Sequence, residues 1–84
     1  METPAIYQKL TPIFRNILDD ETLVLRPDTS ARDVPSWDSV NHIRIVLSIE
    51  QQFGLKIKVR ETAELMNVAD LVEFIQKKSR SDAV

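Results

Sequence analysis

Apolar positions along the chain fall into three helical stripes separated by polar connections. Ile6, Leu10, Ile13, Phe14, Ile17 and Leu18 recur at helical spacing and predict a first amphipathic helix. Thr3 is its expected N-cap and Pro4 its first helical residue, where the missing N–H costs nothing. Pro12 lies off this stripe and removes the hydrogen bond to the carbonyl of Gln8, so the segment is either kinked or begins afresh at Thr11. The second helix is the clearest: Asp38 is its expected cap, and Val40, Ile43, Val46, Leu47, Ile49 and Phe53 follow at helical period. Gly54 stands just past its end, where a left-handed residue closes a helix. The last helix starts at the cap Asn67, carries Asp70 in its first turn and buries Val68, Leu71, Val72 and Ile75. Lys77, Lys78 and Arg80 fall near its C-terminus, where positive charge suits the helix dipole, and 79–84 read as a frayed tail.

Two segments lie between these helices. Residues 19–36 form a long connection rich in Asp, Ser, Thr and Pro, with Leu23, Val24, Leu25 and Val34 expected to pin it to the bundle. The segment LKIKVRE alternates apolar and basic residues and by itself reads as a short strand, with TLVL at 22–25 as its one plausible partner. A two-stranded ribbon is marginal alone, so the expectation is an extended loop over 55–59 and a short helix over 60–65. The fold class is therefore all-α: a small four-helix bundle in one domain, 1–84, with a long loop between helices 1 and 2 and a short third helix.

Composition narrows the function more than the fold. The 84 residues are 43% apolar and 29% charged, which suits a small globular domain held by helix packing. There is no Cys and a single His, so neither disulfides nor a Cys/His metal set is available, and a cytoplasmic setting is expected. The net charge of −2 and the scattered bases leave no nucleic-acid footprint. No apolar run has the length of a membrane span, and METPAIYQKL lacks the basic and apolar regions of a signal peptide, so no membrane role is expected.

The candidate chemistry sits in SWDSVNHIRIVLSIEQQFG. Ser39, Asp38 and His42 supply the residue types of a hydrolase triad, but all three crowd one helix start with no walled pocket or oxyanion hole around them. A serine after an aspartate cap is also ordinary helix-start chemistry. The wider run WDSVNHIRIVLSIEQQFGLKI resembles the acyl carrier protein family, whose signature is Asp-Ser-Leu at the start of the second helix. Here the triplet is Asp38-Ser39-Val40; Gln51-Gln52-Phe53 resembles the family's Glu-Glu-Phe helix end, and ETAEL and VADLVEFI resemble its third and last helices.

The resemblance covers nearly the whole chain and implies a carrier, not an enzyme. It implies that Ser39 is the attachment point of 4′-phosphopantetheine, delivered from coenzyme A, whose thiol carries an acyl group as a thioester. A phosphodiester there agrees with the unpaired N–H groups and dipole of a helix N-terminus. Asp38 is then the helix cap and part of what a phosphopantetheinyl transferase recognises. Ile57 and Leu65 could line a cleft for the acyl chain or serve as plain core, and Trp37 is expected to pack against the bundle end.

The chain departs from the family in its charges. Fatty-acid-synthesis carriers present carboxylates on the second helix to basic partners, whereas the corresponding positions here are Asn41, Arg44, Glu50 and Gln51, with Lys56, Lys58 and Arg60 beyond Gly54; Val40, in the place of the family's leucine, is expected to join them in partner recognition. Such a change alters which partners dock. The expected function is a discrete, monomeric carrier for a specialised polyketide, nonribosomal peptide or acyl-modification pathway. Its expected partners are the transferase, an acyl-activating or acyl-transferring enzyme, and a condensing or downstream transferase enzyme. The alternatives are an unmodified helical interaction module and an aminoacyl or peptidyl carrier, the latter disfavoured because PSWDS lacks the Gly-Gly-x-Ser pattern of peptidyl carriers.

Overall fold

The structure, a computed structural model, describes residues 2–83, with side chains described for 2–78. The backbone of 79–83, expected as part of a frayed tail 79–84, is helical, while residue 84 and the dipole role of the Arg80 side chain lie outside what is described. Four helices follow in order: α1 (Thr3–Ile17), α2 (Ser39–Phe53), α3 (Val59–Thr62) and α4 (Val68–Ala83).

α1 runs without interruption through Pro12, so it does not restart at Thr11. Pro12 is exposed, and the neighbouring Thr11 hydroxyl donates to the carbonyl of Tyr7 at 2.8 Å. The N-cap is Glu2 rather than Thr3, because the Glu2 carbonyl already accepts the Ile6 N–H at 3.1 Å and draws Thr3 into the first turn. At the other end Asp19 takes the left-handed conformation (φ 52°), and the Asp20 N–H reaches back to the Arg15 carbonyl at 3.0 Å. The chain thereby leaves the helix sharply and enters the long connection.

That connection is fastened at several points. Leu25 is buried, Leu23 and Val34 are half-buried, and the Arg15 guanidinium donates to the Leu23 carbonyl at 2.8 Å. Val24, expected among the pinning residues, is instead 60% exposed, since its neighbours on either side take the inward positions. An isolated antiparallel bridge joins Ser30 to Asn67, with Ala31 N–H bonded to the Met66 carbonyl at 2.9 Å and Val68 N–H to the Thr29 carbonyl at 2.8 Å. Segments 22–25 and 55–58 form no ribbon; the backbone partners of the long loop lie at the entry to α4 instead.

α3 begins one residue before the expected 60–65 helix and is shorter. The Glu61 carboxylate accepts the Lys58 N–H at 2.9 Å and starts the helix there, and a turn at Ala63–Glu64 leads to buried Leu65. The core joins Ile6, Leu10 and Phe14 of α1 to Ile45 and Ile49 of α2 and to Val68, Leu71 and Ile75 of α4. α2 contributes His42, Ile45, Val46 and Ile49 to its buried face. Val40, Ile43 and Leu47, read from the sequence as part of that face, are 61%, 56% and 54% exposed. α2 carries apolar residues on two faces, and the periodicity followed partly the wrong one.

Candidate functional site

Ser39 is the first helical residue of α2, and its side chain is exposed. Asp38 is extended (φ −99°, ψ −175°); its Oδ1 accepts the Asn41 N–H at 2.9 Å and its carbonyl accepts the His42 N–H at 2.8 Å. Among the described residues the amides of Ser39 and Val40 and the Ser39 hydroxyl have no hydrogen-bond partner. The hydroxyl thus stands in solvent beside two free donors at the positive end of a 15-residue helix. A phosphodiester on this oxygen would meet those donors without displacing any internal bond.

The same geometry removes the hydrolase reading. His42 is 5% exposed; its Nδ1 accepts the Trp37 indole N–H at 3.0 Å and its Nε2 lies 2.7 Å from the Thr62 carbonyl. Both bonds can be made at once only by the neutral tautomer with its proton on Nε2. No ring nitrogen is left to act as a base for Ser39, and the Asp38 carboxylate is held by a backbone amide. His42 instead ties α2 to α3. Trp37, 2% exposed, fills the bundle end as expected, with its ring edge-on to Phe14 at 4.9 Å between centroids.

The residues assigned to partner recognition divide into two groups. Val40, Arg44, Gln51, Lys56, Lys58 and Arg60 are exposed. Asn41 and Glu50 are half-buried and hold backbone: Asn41 Nδ2 donates to the Ser36 carbonyl at 2.8 Å, and Glu50 Oε2 accepts the Ile57 N–H at 3.1 Å. Ile57 and Leu65 are both buried but face different spaces. Ile57 lines a mostly apolar cavity of about 200 Å³ between α2 and α3, together with Ile43, Val46, Leu47, Val59, Thr62 and the Glu50 side chain that holds the Ile57 amide. Leu65 faces a separate depression beside Glu64, Asp70 and Phe74. Ile43, Leu47 and Val59 were missed as site residues; their signal was an apolar residue on α2 off the core stripe, and an exposed valine between two bases.

Residues 8–75 match the family model described as the phosphopantetheine attachment site. The chain belongs to the acyl carrier protein family. It is similar to the acyl carrier protein of Thermosynechococcus vestitus, 26% identical over 93% of this chain and 96% of that one. It is also similar to acyl carrier protein 3 of Ralstonia nicotianae, 29% identical over 90% and 87%. Its fold matches the solution structure of holo acyl carrier protein from Geobacter metallireducens, with a TM-score of 0.83 and 38% identity over 92% of this chain and 88% of that one.

An acyl carrier protein is a carrier and not an enzyme, and its prosthetic group is covalently attached 4′-phosphopantetheine, which supplies the thiol that bears the acyl group. Family membership brings with it interaction with a phosphopantetheinyl transferase and with acyl-processing enzymes. Among the described residues no helix is long and apolar enough to cross a membrane.

Proposed function

We propose that Ser39 is the phosphopantetheine attachment point and that this acyl carrier protein serves a specialised polyketide, nonribosomal peptide or acyl-modification pathway as a cytoplasmic monomer. One observation carries the attachment site: the Ser39 hydroxyl is exposed, unbonded and flanked by two free amides at the start of α2. Asp38 contributes by holding Asn41 in the first turn, which keeps those amides aligned toward solvent.

The apolar cavity between α2 and α3 supports a place for the first carbons of a bound acyl chain, with Ile57 at its wall. Leu65 does not share that wall, so the cleft is assigned to Ile43, Val46, Leu47, Ile57 and Val59. The specialised pathway rests on Arg44, exposed on the helix where fatty-acid carriers present carboxylates, and on the exposed bases Lys58 and Arg60 beyond Gly54.

Thiol alkylation after incubation with a broad-specificity transferase, Mg²⁺ and coenzyme A tests the reading. The chain has no Cys, so one alkylated thiol per chain can come only from the arm. No thiol would support an unmodified interaction module on the carrier fold, and transfer of an aminoacyl group to the new thiol would support a peptidyl carrier.

A further inference from the structure

Resting on the carrier reading, we propose that the α2–α3 face docks partner enzymes whose carrier-binding surface is an apolar centre rimmed by carboxylates. The apolar half is exposed on this chain: Val40, Ile43 and Leu47 lie along the outer face of α2, and Val59, 88% exposed, stands across the cavity that Ile43 and Leu47 line. The charged half surrounds it. Arg44 shares a helix face with Val40 and Leu47, four residues after the one and three before the other. Lys58 and Arg60 flank Val59, and Lys56 falls on the same outward side of the extended segment as Lys58.

All four bases are exposed, and among the described residues none is in an ion pair. The three carboxylates of this face are each drawn to a backbone amide: Asp38 to Asn41, Glu50 to Ile57 and Glu61 to Lys58. Those carboxylates keep their charge, but each is tied to its amide and none pairs with a base, so the four exposed bases outnumber them by one and stand unpaired for a partner although the chain as a whole carries −2. Rim charges of this kind raise the encounter rate with a surface of opposite sign and penalise one of like sign. A partner with a basic rim would set cation against cation around Val59 and Leu47, while an acidic rim would pair with every exposed base.

The probes are a phosphopantetheinyl transferase with a basic carrier-docking rim and the same enzyme with those rim cations replaced by glutamate. The readout is kcat/KM for modification of this chain with coenzyme A and Mg²⁺, followed by intact mass at low and at physiological ionic strength. The acidic-rimmed enzyme should act about tenfold faster on the wild type, with the gap narrowing as salt rises. The combined variant Arg44→Glu, Lys58→Glu, Arg60→Glu should invert the preference, and the corresponding Gln variant, which removes charge without reversing it, should bring the ratio toward one.

Equal rates with both rims, or a preference for the basic rim that survives the Glu variant, would overturn the proposal. So would self-association in sedimentation that the Glu variant abolishes, which would assign the face to a second copy. Flotation with phosphatidylserine-containing vesicles that the Glu variant abolishes would overturn it too, by assigning the face to an anionic membrane. Complete modification of the wild type but not of Ser39→Ala after prolonged incubation keeps Ser39 as the attachment point whatever the rate ratio shows. Absence of modification even at that endpoint removes the attachment site and the docking proposal with it.

Discussion

Replacing His42 with Ala removes the imidazole that joins Trp37 to Thr62, and the structure sets the size of the loss. The Trp37 N–H, on a residue 2% exposed, would lose its acceptor at 3.0 Å. An orphaned buried donor costs about 1–3 kcal/mol. The Thr62 carbonyl would lose the partner now 2.7 Å away, a smaller cost because the site is part-buried, and the imidazole's contact with the indole, 5.9 Å between ring centroids, would become a void. Together these give a loss of about 3–4 kcal/mol. A domain of 84 residues has a total stability of roughly 4–13 kcal/mol. Urea unfolding followed by far-ultraviolet circular dichroism should show it as a fall of about 2 M in the midpoint, taking an m-value of about 1.5–2 kcal/mol per M.

The double mutant Trp37→Phe, His42→Ala should lose at least about 1 kcal/mol less than the sum of the single mutants, because each single change orphans the other partner. A loss under about 1 kcal/mol for His42→Ala, or strict additivity in the cycle, would refute the connection between α2 and α3. Folded His42→Ala protein should still be modified at Ser39. Loss of modification in a protein shown to be folded would return His42 to the chemistry of the site.

Two further changes test the ends of α2. Asp38→Ala should cost about 1 kcal/mol in the same urea assay by freeing the Asn41 N–H, while Asp38→Asn should retain most of the cap; equal losses in both would argue that the carboxylate's charge matters more than its hydrogen bond. Gly54→Ala should cost about 1–2 kcal/mol through backbone strain alone, because Gly54 sits at φ 65° with no atom within 4 Å of where a Cβ would stand; an unchanged midpoint would mean the helix ends otherwise.

The features legible in the sequence were those set by neighbours a few residues away. Asp38 capping Asn41, Gly54 in the left-handed position and Asn67 capping Asp70 all depend on local backbone chemistry, and all three stand in the structure as the residue types require. The family was legible because the triplet, helix length and Phe53-Gly54 end occur together, and Ser39 stands exposed at the helix start where that triplet places it. What was hidden depends on partners far along the chain. The true inward face of α2 includes His42, a polar residue by type, and its second partner is a backbone carbonyl twenty residues away that no side-chain pattern marks. The separation of Ile57 from Leu65 follows from the turn after α3, whose early start is set by the Glu61 bond to the Lys58 amide. Val24 and Val59 show the converse: apolar residues in alternating segments, left outside when their neighbours took the inward positions.

The central claim is that the exposed Ser39 hydroxyl carries the arm. Intact mass of the wild type and of Ser39→Ala, before and after incubation with a broad-specificity phosphopantetheinyl transferase, Mg²⁺ and coenzyme A, tests it directly. The account predicts a gain of one phosphopantetheine in the wild type and none in Ser39→Ala, with the variant folded as stably as its parent because Asp38 still caps α2. A gain in Ser39→Ala, or no gain in a wild type shown to start unmodified, would contradict it.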